Sequence, residues 1–462
     1  MNKKLQNFIA NITNKKIMVC GIGKSNRPLI KMLLKYSKDI IACDAIEESR
    51  VSNNVLDLKK EGIELRLGRN YMDKLDADII FRTPGMNFYS DKLDEAREKG
   101  IIITSEMEIF FDVCPCPIVA ITGSDGKTTT TNIIAEILKN SGKKVHVGGN
   151  IGTPLLPNIN DIEEDDIAVV ELSSFQLMSM RTSPDVAVMT NLSPNHLDMH
   201  KDMDEYINSK RNIIFHQNAF SRAVLNFDND ITKNLKDDVR GELLYFSRKE
   251  EVRNGAWTDG TSIYISKNGK SKKIMSNDKI KLAGNHNLEN YLAAICAVWG
   301  YVKIEDILKT AENFNGVEHR IEFVKEVNGV KYYNDSIASS PTRAIMGTLS
   351  LFKDKIIMIA GGYDKKIPFD ELGIEINKKV KTLILMGDTA KKIEESVKGS
   401  KNYIKDNINI INVKDMKEAV EAANKNAVNG DTVVLCPACA SFGLYKNFEE
   451  RGNHFKRLVN EL

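Results

Sequence analysis

The densest chemistry in the chain lies in Gly123-Ser124-Asp125-Gly126-Lys127-Thr128-Thr129-Thr130. This stretch follows the apolar run Ile118 to Thr122 and precedes a helical face of Ile133, Ile134 and Ile137. Glycines let backbone amides wrap a polyphosphate and a helix start adds its positive end; Lys127 offsets β/γ-phosphate charge, and the Thr128 hydroxyl can ligate magnesium. The gap between the first glycine and Gly-Lys is shorter than in the commonest phosphate loop. Strand, loop, Gly-Lys-Thr and helix nevertheless agree on nucleoside-triphosphate binding. A reaction driven by ATP also needs a carboxylate for the metal, and Ala168-Val169-Val170-Glu171 supplies one at a strand end. Glu171 is either a magnesium ligand, direct or through another group, or a solvated acid at the end of its strand.

Other polar residues gather at strand ends. Thr190 to His200 is rich in polar side chains after the strand Val186 to Met189. Within it His196 serves as a ligand, orients a carboxylate with Asp198 as its pair, or simply caps the turn. Lys210, in the helical pattern Tyr206 to Ile214, says nothing by itself, because most helix lysines are solvated charges. Near the amino terminus, Ile17 to Cys20 runs into Gly21-Ile22-Gly23, and a second strand ends at Asp44, about 20 residues on, where dinucleotide-binding folds place a ribose-binding acid. The loop lacks the third small residue of that fingerprint. It is read as a dinucleotide site, as a turn heading a sugar-nucleotide or phosphate pocket, or as a structural turn. Thr83-Pro84-Gly85 forms another turn directly after a strand.

The elements that carry these residues fall into three α/β segments. Strands at Ile17 to Cys20, Ile40 to Cys43, Ala77 to Phe81 and Ile101 to Thr104 make a first small unit, and the proline-rich Cys114-Pro115-Cys116-Pro117 ends it. The second unit holds the phosphate loop, with strands at Ile167 to Val170, Val186 to Met189 and Ala223 to Asn226. Within it, Gly241 to Leu282 reads as a small sheet excursion and Asn287 to Trp299 as a helix. The last unit has strands at Lys331 to Tyr333, Ile356 to Ala360, Thr382 to Met386 and Thr432 to Leu435, with amphipathic helices between them. The expected architecture is α/β with three domains: a Rossmann-like amino-terminal domain over 1–114, a central P-loop ATPase-like domain over 118–317 and a Rossmann-like carboxyl-terminal domain over 318–462. An active site is expected in the cleft between domains.

Composition narrows the function class. The 65 Lys and Arg stand against 63 Asp and Glu for a net +2, so no overall charge points to nucleic acid, and any anion is recognised locally. No run of 18 apolar residues suits a membrane helix, and the first residues do not read as a secretory signal, so a cytoplasmic protein is expected. Seven cysteines are too few for a disulfide scaffold. The close pairs Cys114 with Cys116 and Cys436 with Cys439 lack neighbouring histidines that would suit zinc, and buried thiols are the simpler reading.

Taken together, the phosphate loop, Glu171 and Asn191 to His196 resemble the ATP-dependent Mur ligase family, with folylpolyglutamate synthases as relatives. The likeness continues in Gly284-Asn285-His286-Asn287, Glu318-His319-Arg320, Asn334-Asp335-Ser336, the run Cys436 to Phe442 and the tail Lys446 to Gly452. It implies an amide ligase of peptidoglycan precursor synthesis that uses ATP and magnesium, with two metal ions and a carbamylated Lys210. The implied substrates are UDP-N-acetylmuramoyl-L-alanine and D-glutamate; the alternatives are a related ligase with another amino acid or a folylpolyglutamate synthase. A monomer is implied. Residue by residue, it assigns Lys127, Glu171, His196 and Lys210 to catalysis, with Thr128, Glu171, His196 and Lys210 around the metals. Nucleotide binding falls to Gly123, Ser124, Asp125, Gly126, Lys127, Thr128, Thr129, Asn287, Arg320 and Asp335. Substrate contacts fall to Ser25, Asp44 and Gly85 for the uridine nucleotide, Asn150 for the acyl sugar, and Lys366, Ser441 and Phe448 for D-glutamate. Ile337 stands where many D-glutamate-adding members have lysine, which shifts that recognition toward Lys366 or another cation.

Overall fold

Continuous β-branched and apolar runs become the innermost strands of three sheets, because a parallel strand covered on both faces has no side to leave polar. The computed structural model describes residues 2–23, 26–51, 53–194, 199–282, 284–352, 354–364 and 367–462. The chain divides into two compact units, Met1–Phe314 and Asn315–Leu462.

The first sheet contains β1 (Ile17–Cys20), β2 (Ile40–Asp44), β3 (Glu64–Leu67), β4 (Ile79–Phe81) and β5 (Ile102–Thr104), all parallel, in the order β3-β2-β1-β4-β5. The order reverses between β1 and β4. Loops leaving their carboxyl ends therefore diverge and open the crevice that such sheets use for ligands. Gly21 follows β1 and Thr83 lies just beyond β4. A Cβ on Gly21 would come 3.0 Å from the Thr83 Cβ, and Gly21 also has φ +89°, so the close approach and the backbone both call for glycine.

The second sheet has nine strands: β6 (Ile118–Thr122), β7 (Val145–Gly149), β8 (Ile167–Glu171), β9 (Val186–Met189), β10 (Arg222–Asn226), β11 (Glu242–Ser247), β12 (Gly255–Thr258), β13 (Ser262–Lys267) and β14 (Lys270–Ser276). Their order is β14-β13-β12-β11-β10-β9-β6-β8-β7, so the phosphate-loop strand β6 lies between β9 and β8. The stretch Gly241 to Leu282 is not the separate excursion expected of it. β11 pairs in parallel with β10, β12 with β11, and antiparallel β13 and β14 extend the same sheet. The reason is burial: Leu244, Phe246, Ala256, Ile263 and Ile265 share a core with Tyr291, Leu292 and Ile295 of the helix Asn285–Val298.

In the second unit β15 (Glu322–Val327), β16 (Val330–Asn334), β17 (Ile356–Ala360), β18 (Val380–Leu385), β19 (Asn409–Asn412) and β20 (Thr432–Leu435) are arranged β15-β16-β20-β17-β18-β19. β15 and β16 form an antiparallel hairpin across Asn328-Gly329, with φ +52° and +75°, as a tight two-residue turn requires. The other pairings are parallel. Among the described residues, no helix is long and apolar enough to cross a membrane.

Candidate active site

The phosphate loop is shaped by its two glycines and by the strand beside it. Gly123 has φ +150° and a Cβ there would lie 1.9 Å from Thr190 Oγ1; Gly126 has φ +78° and its Cβ would lie 2.5 Å from Asn290 Oδ1. No other residue fits either position without moving the loop. Residues after β9 fasten the loop from outside: Ser124 N donates to Asn191 O at 2.9 Å and Asp125 N to Asn191 Oδ1 at 2.9 Å. Ser124 Oγ also donates to Ser193 O at 3.0 Å and meets the Tyr206 hydroxyl at 2.9 Å. The helix Lys127–Asn140 starts immediately, with Gly126 at its cap and no acidic residue in its first turn. Its positive end is thus left for an anion. Thr128 and Thr129 occupy that turn, and Lys127 Nζ donates back to Gly123 O and Ser124 O, both at 2.9 Å. From the far side, Asn290 accepts from Thr130 Oγ1 at 3.1 Å and donates to Asn287 Oδ1 at 3.3 Å, tying the helix that carries Asn287 to the loop.

Glu171 is not the solvated acid that a strand end alone allows, since only 1% of it is exposed. Its Oε1 accepts from Asn150 Nδ2 at 2.7 Å, and Asn150 N donates to Glu171 O at 2.8 Å. Its Oε2 is buried with no hydrogen-bond partner among the described residues. A dry carboxylate oxygen without a donor is costly, and a hard cation is the group that offsets it. Glu171 therefore fits a magnesium site, at the end of the strand paired with the one that leads into the phosphate loop.

Lys210, from the helix Met203–Phe215, is 2% exposed. Its Nζ donates to Thr122 Oγ1 at 3.1 Å and to Gly123 O at 3.0 Å, and stands 5.0 Å from the Tyr206 ring centroid. Burial first, and the charge of Lys127 second, hold its pKa well below the ordinary lysine value, against the opposing pull of Glu171 and Asp125. That shift favours the neutral amine more than in an exposed lysine.

The remaining residues fall in two other places. In the first sheet Asp44 accepts from Ile22 N at 2.8 Å and Ile46 N at 3.1 Å, so it secures the β1 loop, while Gly85 is exposed on the turn after β4. In the second unit Asp335 is buried, accepting from Ile321 N at 3.3 Å and from the Thr348 hydroxyl, and burial raises its pKa. Arg320 is exposed, Ser441 buried and Phe448 half-buried at the start of the helix Phe448–Asn460. Arg451 of that helix, 1% exposed, donates to Ser336 Oγ at 3.0 Å, Ser336 O at 2.8 Å and Cys439 O at 3.1 Å. Ser25, His196 and Lys366 lie outside the described residues.

Sequence reasoning missed Tyr206, Asn290 and His200. His200 is buried, with Nε2 2.9 Å from Ser174 Oγ, Nδ1 3.3 Å from Glu205 and its ring stacked on Phe175 at 5.0 Å. The polar run Thr190 to His200 signalled this neighbourhood without singling that histidine out.

Two family models match the chain: one described as the Mur ligase middle domain over residues 121–298, the other as the Mur ligase, glutamate ligase domain over 319–439. The chain is 48% identical over 465 residues to a UDP-N-acetylmuramoylalanine–D-glutamate ligase of Ruminiclostridium cellulolyticum, and 50% identical over 471 residues to one of Acetivibrio thermocellus; both alignments cover 100% of each chain. Among solved structures, a UDP-N-acetylmuramate-alanine ligase of Thermotoga maritima superposes with a TM-score of 0.54 at 19% identity, over 97% of this chain and 99% of that one. A pseudomurein peptide ligase type C of Methanothermus fervidus gives 0.52 at 19% identity, over 97% and 100%. These two share the fold.

Proposed function

The chain belongs to the Mur ligase family, and we propose that it joins the amine of D-glutamate to the carboxylate of UDP-N-acetylmuramoyl-L-alanine at the expense of ATP, in peptidoglycan precursor synthesis. The observation that carries this reading is full-length identity of 48–50% with relatives named for that reaction. The buried, half-satisfied Glu171 beside a phosphate loop supports its chemistry. The segments 1–114, 118–317 and 318–462 are its sugar-nucleotide, ATP and amino-acid domains, and the enzyme works as a cytoplasmic monomer.

A carboxylate is a poor electrophile, so it must first be activated. The substrate carboxylate oxygen attacks the γ-phosphorus of ATP, ADP leaves, and the acyl phosphate accepts the D-glutamate amine; the tetrahedral adduct expels phosphate and the nitrogen loses a proton. The loop amides of Gly123 to Thr129, Lys127 and the helix start hold the phosphates and balance charge during the transfer. Thr128, Glu171, His196 and Lys210 would hold magnesium, which supplies Lewis-acid polarisation of the phosphoryl oxygens. Lys210 serves there as a carbamate: in its unprotonated form the amine adds carbon dioxide, the nitrogen gives up a proton to water, and a two-oxygen anion results. Asn150 orients Glu171 and meets the acyl sugar. Asn287 serves the adenine, Arg320 and Asp335 the phosphate and ribose of the nucleotide, Ser25, Asp44 and Gly85 the uridine nucleotide, and Lys366, Ser441 and Phe448 the incoming D-glutamate.

Phosphate release is to be measured with ATP, magnesium and UDP-N-acetylmuramoyl-L-alanine, offering D-glutamate, L-glutamate, L-alanine or lysine and weighing the product by mass spectrometry. Release with a new amide only for D-glutamate is expected. Product with a different amino acid would overturn the specificity, and no turnover with any of the four would overturn the reading.

A further inference from the structure

Arg82 closes β4 and opens the turn Thr83 to Met86, in which Met86 N donates to Thr83 O at 3.0 Å. Its side chain is 2% exposed. One terminal nitrogen donates to Met86 O at 3.2 Å, across that turn. The other donates to Phe175 O at 2.8 Å and Ser179 Oγ at 2.7 Å, in the segment that follows Glu171. Ser179 in turn donates to Glu108 Oε2 at 3.0 Å, which also accepts from Ser105 Oγ at 2.7 Å, so among the described residues the guanidinium reaches a carboxylate through a hydroxyl and not directly. Burying a cation with so indirect a partner is expensive, and apolar packing would join two sheets at lower cost.

What the arrangement achieves is geometric. Thr83 presses on Gly21, so the β4 turn and the β1 loop make one lip at the switch point of the first sheet. The segment gripped at its other end carries Phe175, stacked on His200, and Ser174, hydrogen-bonded to it. A planar guanidinium can bridge these two edges with fixed donors, whereas an ammonium is a single point on a flexible stem. We propose that Arg82 is a positioning residue for the sugar nucleotide, fixing the span between the lip that takes its nucleotide end and the Glu171 region that takes its carboxylate. This rests on the proposed function, since one substrate must reach both places.

The test is steady-state kinetics of Arg82→Met, which keeps volume and removes every donor, beside Arg82→Lys and the wild type. Arg82→Met should raise KM for UDP-N-acetylmuramoyl-L-alanine about tenfold, as a misplaced remote anchor does. KM for ATP and for D-glutamate should stay within about twofold, and Arg82→Lys should recover part of the loss. An unchanged KM for the sugar nucleotide, or an equal rise in all three, overturns the proposal. If Arg82→Met does not fold, Ser179→Ala removes one acceptor and is judged by the same split. A wild type that forms no amide overturns the functional reading and this proposal together; an active wild type with an unaltered variant overturns this proposal alone.

Discussion

Glu171 concentrates the conflict between stability and function in one side chain. Its Oε1 is held by Asn150 and its Oε2 is buried without a donor among the described residues, so the carboxylate is held at a cost to stability. Glu171→Gln keeps the shape and removes the charge. It should cut turnover by at least about a hundredfold, the scale on which losing a site's key electrostatic group is felt, while metal-free thermal melting stays level or rises. A fall in melting temperature together with retained activity would show that the carboxylate is structural. The sequence displayed this residue because a lone acid after three apolar residues is conspicuous. It could not display Asn290 or Tyr206, whose importance comes from contacts across more than 80 positions: Thr130 with Asn290 and Ser124 with Tyr206. Lys210 was silent in its helical pattern and entered only through the family resemblance; in the fold, its burial against Thr122 and Gly123 sets it apart.

At the scale of elements, strands with continuous apolar runs were legible: Val186–Met189 and Ile356–Ala360 fall where the pattern places them. The β11 to β14 region was misjudged because its alternation resembles a free-standing meander, and the sharing of a core with a helix dozens of residues later leaves no local mark. The junction of β15 and β16 with the helix Phe448–Asn460 was equally invisible, and it makes a pH-dependent prediction. His319 has φ +63° and a buried ring whose Nδ1 accepts from Asn334 Nδ2 at 2.9 Å. A Cβ on Gly452 would come 2.2 Å from that nitrogen. Burial lowers the His319 pKa, assisted by Lys456 and opposed by Glu318, Glu322 and Glu449. A depressed histidine pKa means the unfolded chain binds the proton first. Its stabilising contribution is therefore complete above about pH 6.5 and is lost as pH falls from there toward the folded value. The second unit's resistance to chemical denaturation should therefore fall as pH drops below about 6.5, and His319→Gln should flatten that slope. An equal slope in both proteins would remove His319 as its source.

The whole molecule has three sheets but two compact units, and the cores explain the difference. One apolar core runs without interruption from Leu5, Phe8, Ile17 and Phe110 of the first sheet's segment to Ala120, Leu172, Tyr206 and Leu225 of the second's. Polar contacts cross the same seam: Glu106 accepts from Leu156 N at 2.8 Å, and Arg82 and Glu108 meet at Ser179. The second unit packs both faces of its own sheet separately. A shared core cannot be lost from one side alone, so the first two sheets should unfold together. Calorimetry should then resolve two transitions with enthalpies near two to one, following the lengths of Met1–Phe314 and Asn315–Leu462 at about 0.7 kcal/mol per residue near 60 °C. UDP-N-acetylmuramoyl-L-alanine at about 100 times its Kd should stabilise the larger transition by about 2.7 kcal/mol. Hydrogen exchange followed by mass spectrometry assigns the segments. If the residues before Cys114 lose protection in a separate, earlier transition, the continuous core does not couple the sheets; if they open with the phosphate loop, the first two sheets behave as one cooperative body.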